Sequence, residues 1–507
     1  MSETLNGSKT SMRNWFLLIC FALLWDSLPA AENPNIVILY ADDMGYGDLA
    51  IQNPNSKIPT PHLDRLASQG MRFTDAHSSS GVCTPSRYAL LTGRFHWRKF
   101  HGIVNSFDGP VIDENELTLA ELLKAKGYRT ACIGKWHLGW NWSEIRIKSQ
   151  KQNPKNDRAG FAPEEFDWTK SISGGPLSHG FDYYFGDDVP NFPPYAWFEN
   201  DRLITIPTEP LTISVKTKEG NWEARPGPMT KDWNFEAVVP RLKDRTVEWI
   251  AEQKGKPDPF FLYVPFNSPH APIVPGDEFT GKSKAGGFGD FVFQTDDHIG
   301  QILKALDDNG FTQNTLVIFT ADNGAEQYAY DRIRNFGHHS SGPLRGVKRD
   351  LYEGGHRVPF IVKWPERVKA GDVCDGLISQ VDIMATIASA TGTQLPDDSA
   401  HDSHDMLPMW QNNSESPRHS IVHNTAPKAF AIRHKQWVLI AAKSGAHSNV
   451  PSWFNDKFSY KDDDLPGELY DLNSDLAQKH NLFAQMPEKV KELTTVLETI
   501  RAKGQVR

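Results

Sequence analysis

The chain has 507 residues, 39% of them hydrophobic and 23% charged, and a formal net charge of -9. That is enough for a sizeable core and for two domains, since single cores rarely grow past ~250–300 residues, and it excludes a disordered chain. The acidic balance excludes nonspecific nucleic-acid binding, which needs a basic face. Any site for an anionic substrate must therefore concentrate positive charge locally.

In chain order, Lys9 and Arg13 precede an apolar stretch from Trp15 to Trp25, followed by Ser27-Leu28-Pro29-Ala30-Ala31. These are the three parts of a secretory signal, predicted over residues 1–31 with cleavage after Ala30 or Ala31. The stretch is shorter than the ~20 apolar residues of a membrane span, and no other segment is long enough. The chain is expected to be exported, periplasmic or secreted, without a stable membrane span.

Five apolar residues, Ile36 to Tyr40, read as a buried strand. A short helix is expected at Leu63–Ser68. A better one is expected at Leu117–Lys126, with Thr118 and Glu121 in capping-box spacing and Gly127 as its stop. Strands follow at Arg129–Ile133 and Pro259–Val264. A helix over Phe293–Asp307 carries Ile299, Ile302, Leu303 and Leu306 on one face. Strands Thr315–Thr320 and Phe360–Trp364 and helix Ile383–Ala390 continue the alternation. This pattern predicts an α/β fold with a large, mostly parallel sheet between helices.

Beyond about residue 398 the texture changes. Short strand-like runs at Ser420–Val422, Ala429–Arg433 and Trp437–Ile440 suggest antiparallel pairing. An amphipathic helix, Glu488–Arg501, closes the chain. The expected division is a catalytic α/β domain over 32–397 and a smaller α+β domain over 398–507. Two long stretches, 140–174 and 187–234, show little regular pattern and are candidates for site-forming insertions. The second carries Phe192, Tyr195, Trp197 and Phe198, which could stack on a sugar or simply pack the loop.

Once Cys20 leaves with the signal, three cysteines remain: Cys83, Cys132 and Cys374. An odd count in an exported protein marks one thiol for special chemistry. Cys132 sits in an expected buried strand, where it acts as a small hydrophobe. Its pairing with Cys374 stays open. Cys83 heads what reads as a short loop, Cys-Thr-Pro-Ser-Arg, followed by the apolar run to Gly93. A thiolate beside Arg87 would be an activated nucleophile.

Other chemistry collects at strand ends. Asp42 and Asp43 follow the first strand, where ligand sites in open α/β sheets gather. Adjacent carboxylates repel unless neutralised, and a hard divalent cation does this, although a helix N-cap would use the same residues. Asp322 and Asn323 also directly follow an apolar strand and offer two more oxygens. An oxygen-only set favours calcium or magnesium over zinc. Lys135 and His137 alternate, so on extended chain a cation and a titratable base would face one way. His270 is a third polar group near a strand end. Lys348 lies in a glycine-bearing loop where Arg345 and Arg349 compete for its role.

Together these segments resemble the type I, formylglycine-dependent sulfatases of the alkaline phosphatase superfamily, over nearly the whole mature chain. The Cys83 segment followed by Gly134-Lys135-Trp136-His137-Leu138-Gly139 is similar to that family's pair of signatures, and the stretch from Leu351 to Pro359 also matches. The resemblance implies that Cys83 is oxidised to formylglycine by a maturation enzyme. It implies calcium held by Asp42, Asp43, Asp322 and Asn323 beside the modified Cys83. It gives Arg87 the formylglycine hydrate, Lys135 and Lys348 the sulfate oxygens, and His137 and His270 the acid–base work.

The implied reaction is sulfate ester hydrolysis. One hydroxyl of the hydrate attacks sulfur, His270 protonates the leaving alcohol, and His137 draws the second hydroxyl's proton so that the aldehyde re-forms and sulfate leaves. A plain serine or cysteine could not release sulfate this way. Asp187 and Asp188 stand where some members place a serine, and no role is assigned to them. Phosphonate monoester hydrolases and choline sulfatases share the fold and carry histidine after the second metal aspartate. Asn323 in that place favours a calcium-type sulfatase with a sulfated polysaccharide or oligosaccharide, or an aryl sulfate, as substrate. The remaining alternative is an inactive relative that only binds sulfated glycans.

Overall fold

The structure, a computed structural model, describes residues 33–147, 161–212, 216–217, 219–221, 224–461 and 463–504. The expected signal segment, 1–31, lies outside the described residues, as do parts of both long irregular stretches.

A ten-stranded sheet forms the frame. Its strands are β1 (Asn35–Ala41), β2 (Met71–Phe73), β3 (Arg129–Lys135), β4 (Tyr183–Asp188), β5 (Phe198–Glu199), β6 (Arg202–Leu203), β7 (Phe260–Pro265), β8 (Thr315–Ala321), β9 (Phe360–Lys363) and β10 (Asp372–Cys374). They lie in the order β10-β2-β9-β8-β1-β7-β3-β4-β5-β6. The central five, from β8 to β4, are all parallel, so their C-terminal ends share one edge. Strands β9 and β5 are antiparallel to their inner neighbours.

The seven residues of β1 are all buried. Because side chains alternate across a strand, Ile36, Ile38 and Tyr40 enter one core layer while Val37, Leu39 and Ala41 enter the other. Helices α1 (Pro61–Ser68), α4 (Val238–Glu252) and α5 (Gly286–Asp308) pack on the second layer through Leu63, Leu242, Ile250 and Ile299. Helices α2 (Cys83–Thr92) and α3 (Leu119–Ala125) and the helix Ile383–Ala390 cover the first through Leu90, Leu123 and Ile387. A continuous apolar run reads as a strand buried on both faces, and β1 is one.

The capping box at Thr118 and Glu121 forms as expected. Helix α4 was not foreseen in the gap between Asn234 and Pro259, although Val238, Leu242, Trp249 and Ile250 share its buried face. Its Pro240 sits in the first turn, where no intrahelical donor is needed. Helix α5 begins at Gly286, earlier than Phe293.

A separate four-stranded antiparallel sheet follows: β11 (Ser420–Ala426), β12 (Ala429–His434), β13 (Trp437–Ile440) and β14 (Glu468–Asp471). The helix Pro487–Ala502 covers it through Leu493 and Leu497. Arg433 Nη2 of β12 donates to Asp75 Oδ2 at 2.9 Å, and Trp97 Nε1 donates to Val422 O at 3.2 Å. These bonds tie this sheet to the chain on either side of α2.

Cys132 lies in β3 and Cys374 in β10, with five strands between them. At ~4.8 Å per strand they are roughly 29 Å apart, far beyond the ~7 Å limit of a disulfide. The open question of their pairing is thus closed: both are free and buried.

Candidate active site

The expected site residues converge at the C-terminal edge of the parallel strands. Asp42 and Asp43 follow β1, Asp322 and Asn323 follow β8, Lys135 ends β3, and His270 lies five residues past β7. Gly134 has φ +137, and a Cβ there would lie 2.0 Å from Pro265 O, so glycine lets β3 close against β7 just before Lys135.

Cys83 is not in a loop. It is the first residue of α2, a ten-residue helix that is buried throughout and ends at Gly93 with φ +66. Cys83 and Arg87 are four apart and share a helix face, and the positive N-terminal end of the helix dipole meets the site. Pro85 falls within the first turn, where a missing N–H costs nothing. The expected thiolate is also corrected. Burial pushes the Cys83 thiol up, against the pull of Lys135 and Lys348, so the unmodified sulfur rests as a thiol.

A buried ion network binds these elements. Arg87 Nη2 donates to Asp322 Oδ2 at 2.8 Å and lies 3.6 Å from Asp42 Oδ2, while Nη1 donates to Lys135 O at 3.2 Å. Lys135 Nζ donates to Asp42 Oδ2 and Lys348 Nζ to Asp43 Oδ1, each at 2.6 Å. The Asp43 N–H donates to Asp322 Oδ1 at 3.1 Å. Lys348, not Arg345 or Arg349, thus fills the lysine position. Burial opposes ionisation of Asp43, but Lys348 and His270 hold its carboxyl well below the usual range. Asp322 is pushed up to about 6 by burial and by the charge of Asp42. Three carboxylates face three cations, so the local charge nearly cancels while the whole chain carries -9.

His137 is not on extended chain. Its φ is +55, just past the end of β3, so the alternation argument fails there. It still reaches the site by another route. Its Nε2 lies 3.0 Å from Val104 O, an acceptor, so Nε2 carries the proton and the lone pair sits on Nδ1. That Nδ1 is buried without a hydrogen-bond partner. Burial, with the charges of Lys135 and Arg87, pushes His137 well below its usual range. His270 Nδ1 lies 2.5 Å from Ala271 O, and its Nε2 is 3.7 Å from Asp43 Oδ2. Burial lowers His270 to about 3 against the opposing pull of Asp43. Positive φ at Asp43 (+62), His137 (+55), Asp188 (+62) and Arg349 (+80) gathers around this edge. Such strain concentrates where function holds it.

The donors fit a hard cation. Ligand atoms of Asp42, Cys83 and Asp322 all lie within 4.8 Å of one another, as do those of Asp42, Asp43 and His270. Asn323 Nδ2 donates to Asp43 Oδ1 and to Gly324 O, which leaves its Oδ1 buried and unpartnered. Asp42 Oδ1 is likewise buried and unpartnered. Two orphaned oxygens beside three carboxylates are what calcium or magnesium would satisfy.

The structure adds Asn267 and Arg225 to the residues named from the sequence and gives Asp187 and Asp188 partners. Asn267 Nδ2 donates to both carboxylate oxygens of Asp187 at 2.7 Å, and the His137 N–H donates to Asp188 Oδ1 at 3.2 Å. Burial pushes Asp187 up to about 7 and Asp188 up to about 6. An acid pair after an apolar strand was the signal read at Asp42, and it was present here too. Of the four aromatics of the insertion, Tyr195 and Phe198 are fully buried and pack the loop, while Trp197 is only partly buried. Trp197 stacks on Phe185, Phe198 stacks on Trp140, and Tyr195 is buried with its hydroxyl on Arg225 O. Phe192 is buried too, but its ring meets His137 edge-on, with centroids 5.4 Å apart, and carries the Arg225 guanidinium 3.5 Å above its face.

A buried cysteine at a helix N-terminus, three buried cations, a cluster of acidic and amide oxygens and two histidines with fixed tautomers form a set suited to hydrolysis of an oxyanion ester. The Sulfatase family model matches residues 34–393, and that of the N-sulphoglucosamine sulphohydrolase C-terminal region matches 347–503. The chain belongs to the sulfatase family and is a sulfuric ester hydrolase. It is 34% identical to an N-acetylgalactosamine-6-O-sulfatase of Bacteroides thetaiotaomicron, over 93% of this chain and 94% of that one. It is 33% identical to arylsulfatase A of Bos taurus, over 94% and 88%. A solved Bacteroides thetaiotaomicron protein, described under the metabolism of multiple glycosaminoglycans, superposes with a TM-score of 0.77 at 32% identity, covering 93% of this chain and 100% of that one.

Proposed function

We propose that this sulfatase hydrolyses sulfate esters on a carbohydrate, using formylglycine made from Cys83 and a calcium ion held by Asp42, Asp43, Asp322 and Asn323. The observation that carries this reading is Cys83 at the N-terminus of α2, within ligand distance of Asp42 and Asp322, with two orphaned oxygens beside it. The carbohydrate class rests on the named relatives, one an N-acetylgalactosamine-6-O-sulfatase. When bound, these groups would supply a nucleophilic hydroxyl and a Lewis acid beside the sulfate.

The chain's own residues do the rest. A divalent cation added to a nearly neutral cluster makes it net positive, which suits a sulfate ester. Lys135 and Lys348 donate to sulfate oxygens and offset charge as it builds. Arg87 donates to Asp322 and offsets the charge of Asp322 and Asp42. His270 has its Nδ1 proton committed to Ala271 O, so Nε2 is the atom that hands a proton to the leaving oxygen. Arriving sulfate charge would raise its low pKa. His137, with its proton fixed on Nε2, accepts a proton at Nδ1.

An exported chain, cleaved near Ala30 and matured by a formylglycine-generating enzyme, completes the proposal. Among the described residues no helix is long and apolar enough to cross a membrane. Mass spectrometry of the Cys83 peptide from the native host tests the modification, expected about 18 Da lighter than cysteine. A desulfation panel on defined sulfated saccharides tests the substrate class. An unmodified thiol in active enzyme would overturn the first part, and turnover of aryl phosphonate in preference to any sulfate would overturn the second.

A further inference from the structure

The loop from Gly342 to Asp350 carries three cations, and each goes to a different place. Arg345 turns toward the second sheet, where Nη1 donates to Tyr470 Oη at 3.1 Å and Gln478 O at 2.9 Å, and its guanidinium lies 3.9 Å over the Tyr352 ring. Lys348 turns inward to Asp43. Arg349 stays at the rim, with 41% of its side chain exposed and Nη1 donating to Glu326 Oε1 at 2.6 Å.

Exposure separates Arg349 from the other site cations. The side chains of Arg87 and Lys135 are fully buried and that of Lys348 is 4% exposed. Those three can meet only the group that enters the site. Arg349 can meet what that group is attached to. It is close enough for its charge to act on Asp43 and on the Cys83 sulfur. Its N–H donates to Gly81 O at 2.8 Å, two residues before Cys83, so its backbone is fastened to the catalytic helix entry. Its φ is +80, a conformation that glycine holds with less strain. An arginine kept there points to a use for the guanidinium.

We propose that Arg349 is a substrate-selecting residue that binds a second anionic group, carboxylate or sulfate, on the sulfated sugar or its neighbour. Its planar fork suits two-point recognition of either. Glu326 accepts from Nη1, and the part-exposed side chain remains open to an incoming anion. The inference rests on the carbohydrate reading and narrows it to polyanionic glycans.

The test uses the full, matured enzyme and the variants Arg349→Gly and Arg349→Lys. The substrates are a monosulfated N-acetylhexosamine, the same sugar joined to a uronic acid, and the same sugar carrying a second sulfate. The expected result is that Arg349→Gly lowers the ratio of kcat/KM for doubly over singly charged substrate by about 10- to 100-fold, mainly through KM. Arg349→Lys recovers part of the ratio, and the glycine variant melts no lower than the parent. The disaccharide and the disulfated sugar reveal which anion is read. An equal loss on all substrates would assign Arg349 to positioning Lys348 and overturn the proposal, as would no loss at all. If the parent cleaves 4-nitrophenyl sulfate but no sugar, the carbohydrate reading fails by itself. The arginine is then read on that ester with and without a ring carboxylate, and an unchanged ratio overturns it.

Discussion

Replacing Arg87 with alanine tests the charge accounting of the site most directly. The guanidinium is fully buried, donates to Asp322, approaches Asp42 and holds the Lys135 carbonyl. Without it two carboxylates face each other with only Lys135 between them. Breaking a buried ion pair by removing one partner costs about 3–5 kcal/mol. With an unfolding entropy of about 2.1 cal/mol/K per residue, that corresponds to a Tm drop of about 3–5 °C for a chain of this size.

The loss should depend on pH, and the sign follows from Asp322. Its folded pKa of about 6 lies above the ordinary 3.8, so the folded state binds its proton more tightly and is destabilised when the group ionises. Stability from this group is recovered as pH falls from about 6 toward 4. Arg87 is among the charges that lower Asp322, so its removal pushes the carboxyl higher still and recovery begins earlier. Thermal melts of chelator-treated protein should therefore show a gap between parent and Arg87→Ala that narrows from pH 7 to pH 5. A gap of constant size, or none, would refute the view that Arg87 neutralises these carboxylates.

Other outcomes follow from the same geometry. His270→Ala should slow alkyl and sugar sulfates about 100- to 10,000-fold yet spare 4-nitrophenyl sulfate, whose leaving group needs no proton, whereas His137→Ala should slow both; equal losses in a leaving-group series would contradict the assignment. Calcium at about 100 times its Kd should stabilise chelator-treated protein by about 2.7 kcal/mol, and Asn323→Ala should weaken that shift without unfolding the chain; calorimetric scans with and without calcium read both. Cys83→Ala should fold with an unchanged melting profile and turn over almost nothing. Thiol titration of the denatured mature enzyme should find Cys132 and Cys374 free, and any Cys132–Cys374 disulfide peptide would contradict the sheet order.

Much of the site was legible in the one-dimensional pattern because parallel α/β sheets place chemistry at strand ends. Asp42, Asp322 and Lys135 each follow or end a short apolar run, and such runs mark buried strands regardless of tertiary context. Cys83 and Arg87 were legible as residue types but not as a helical pair. Proline and serine in the first turn look like a loop until the fold shows that this turn is the helix start. His137 was found by a wrong argument, since its left-handed backbone breaks the two-residue alternation. Asn267 and Arg225 were missed because nothing local distinguishes a site-facing polar residue from a solvated one, and Asp187 and Asp188 were given no role because their partners lie 80 and 51 positions away.

The sequence alone determined the layer architecture, the strand ends that carry acids, and the motif pair around Cys83 and Lys135. These depend on periodicity and short-range spacing, which the chain carries in itself. Tertiary structure alone decided which lysine meets which aspartate, which nitrogen of each histidine faces the site, that Cys132 and Cys374 are strands apart, and that Arg349 remains at the rim while Arg345 is drawn away. Apart from the His270–Ala271 contact, each of these depends on how residues tens to hundreds of positions apart are placed. Such contacts depend on strand order, and strand order is fixed only when the sheet closes its two core layers.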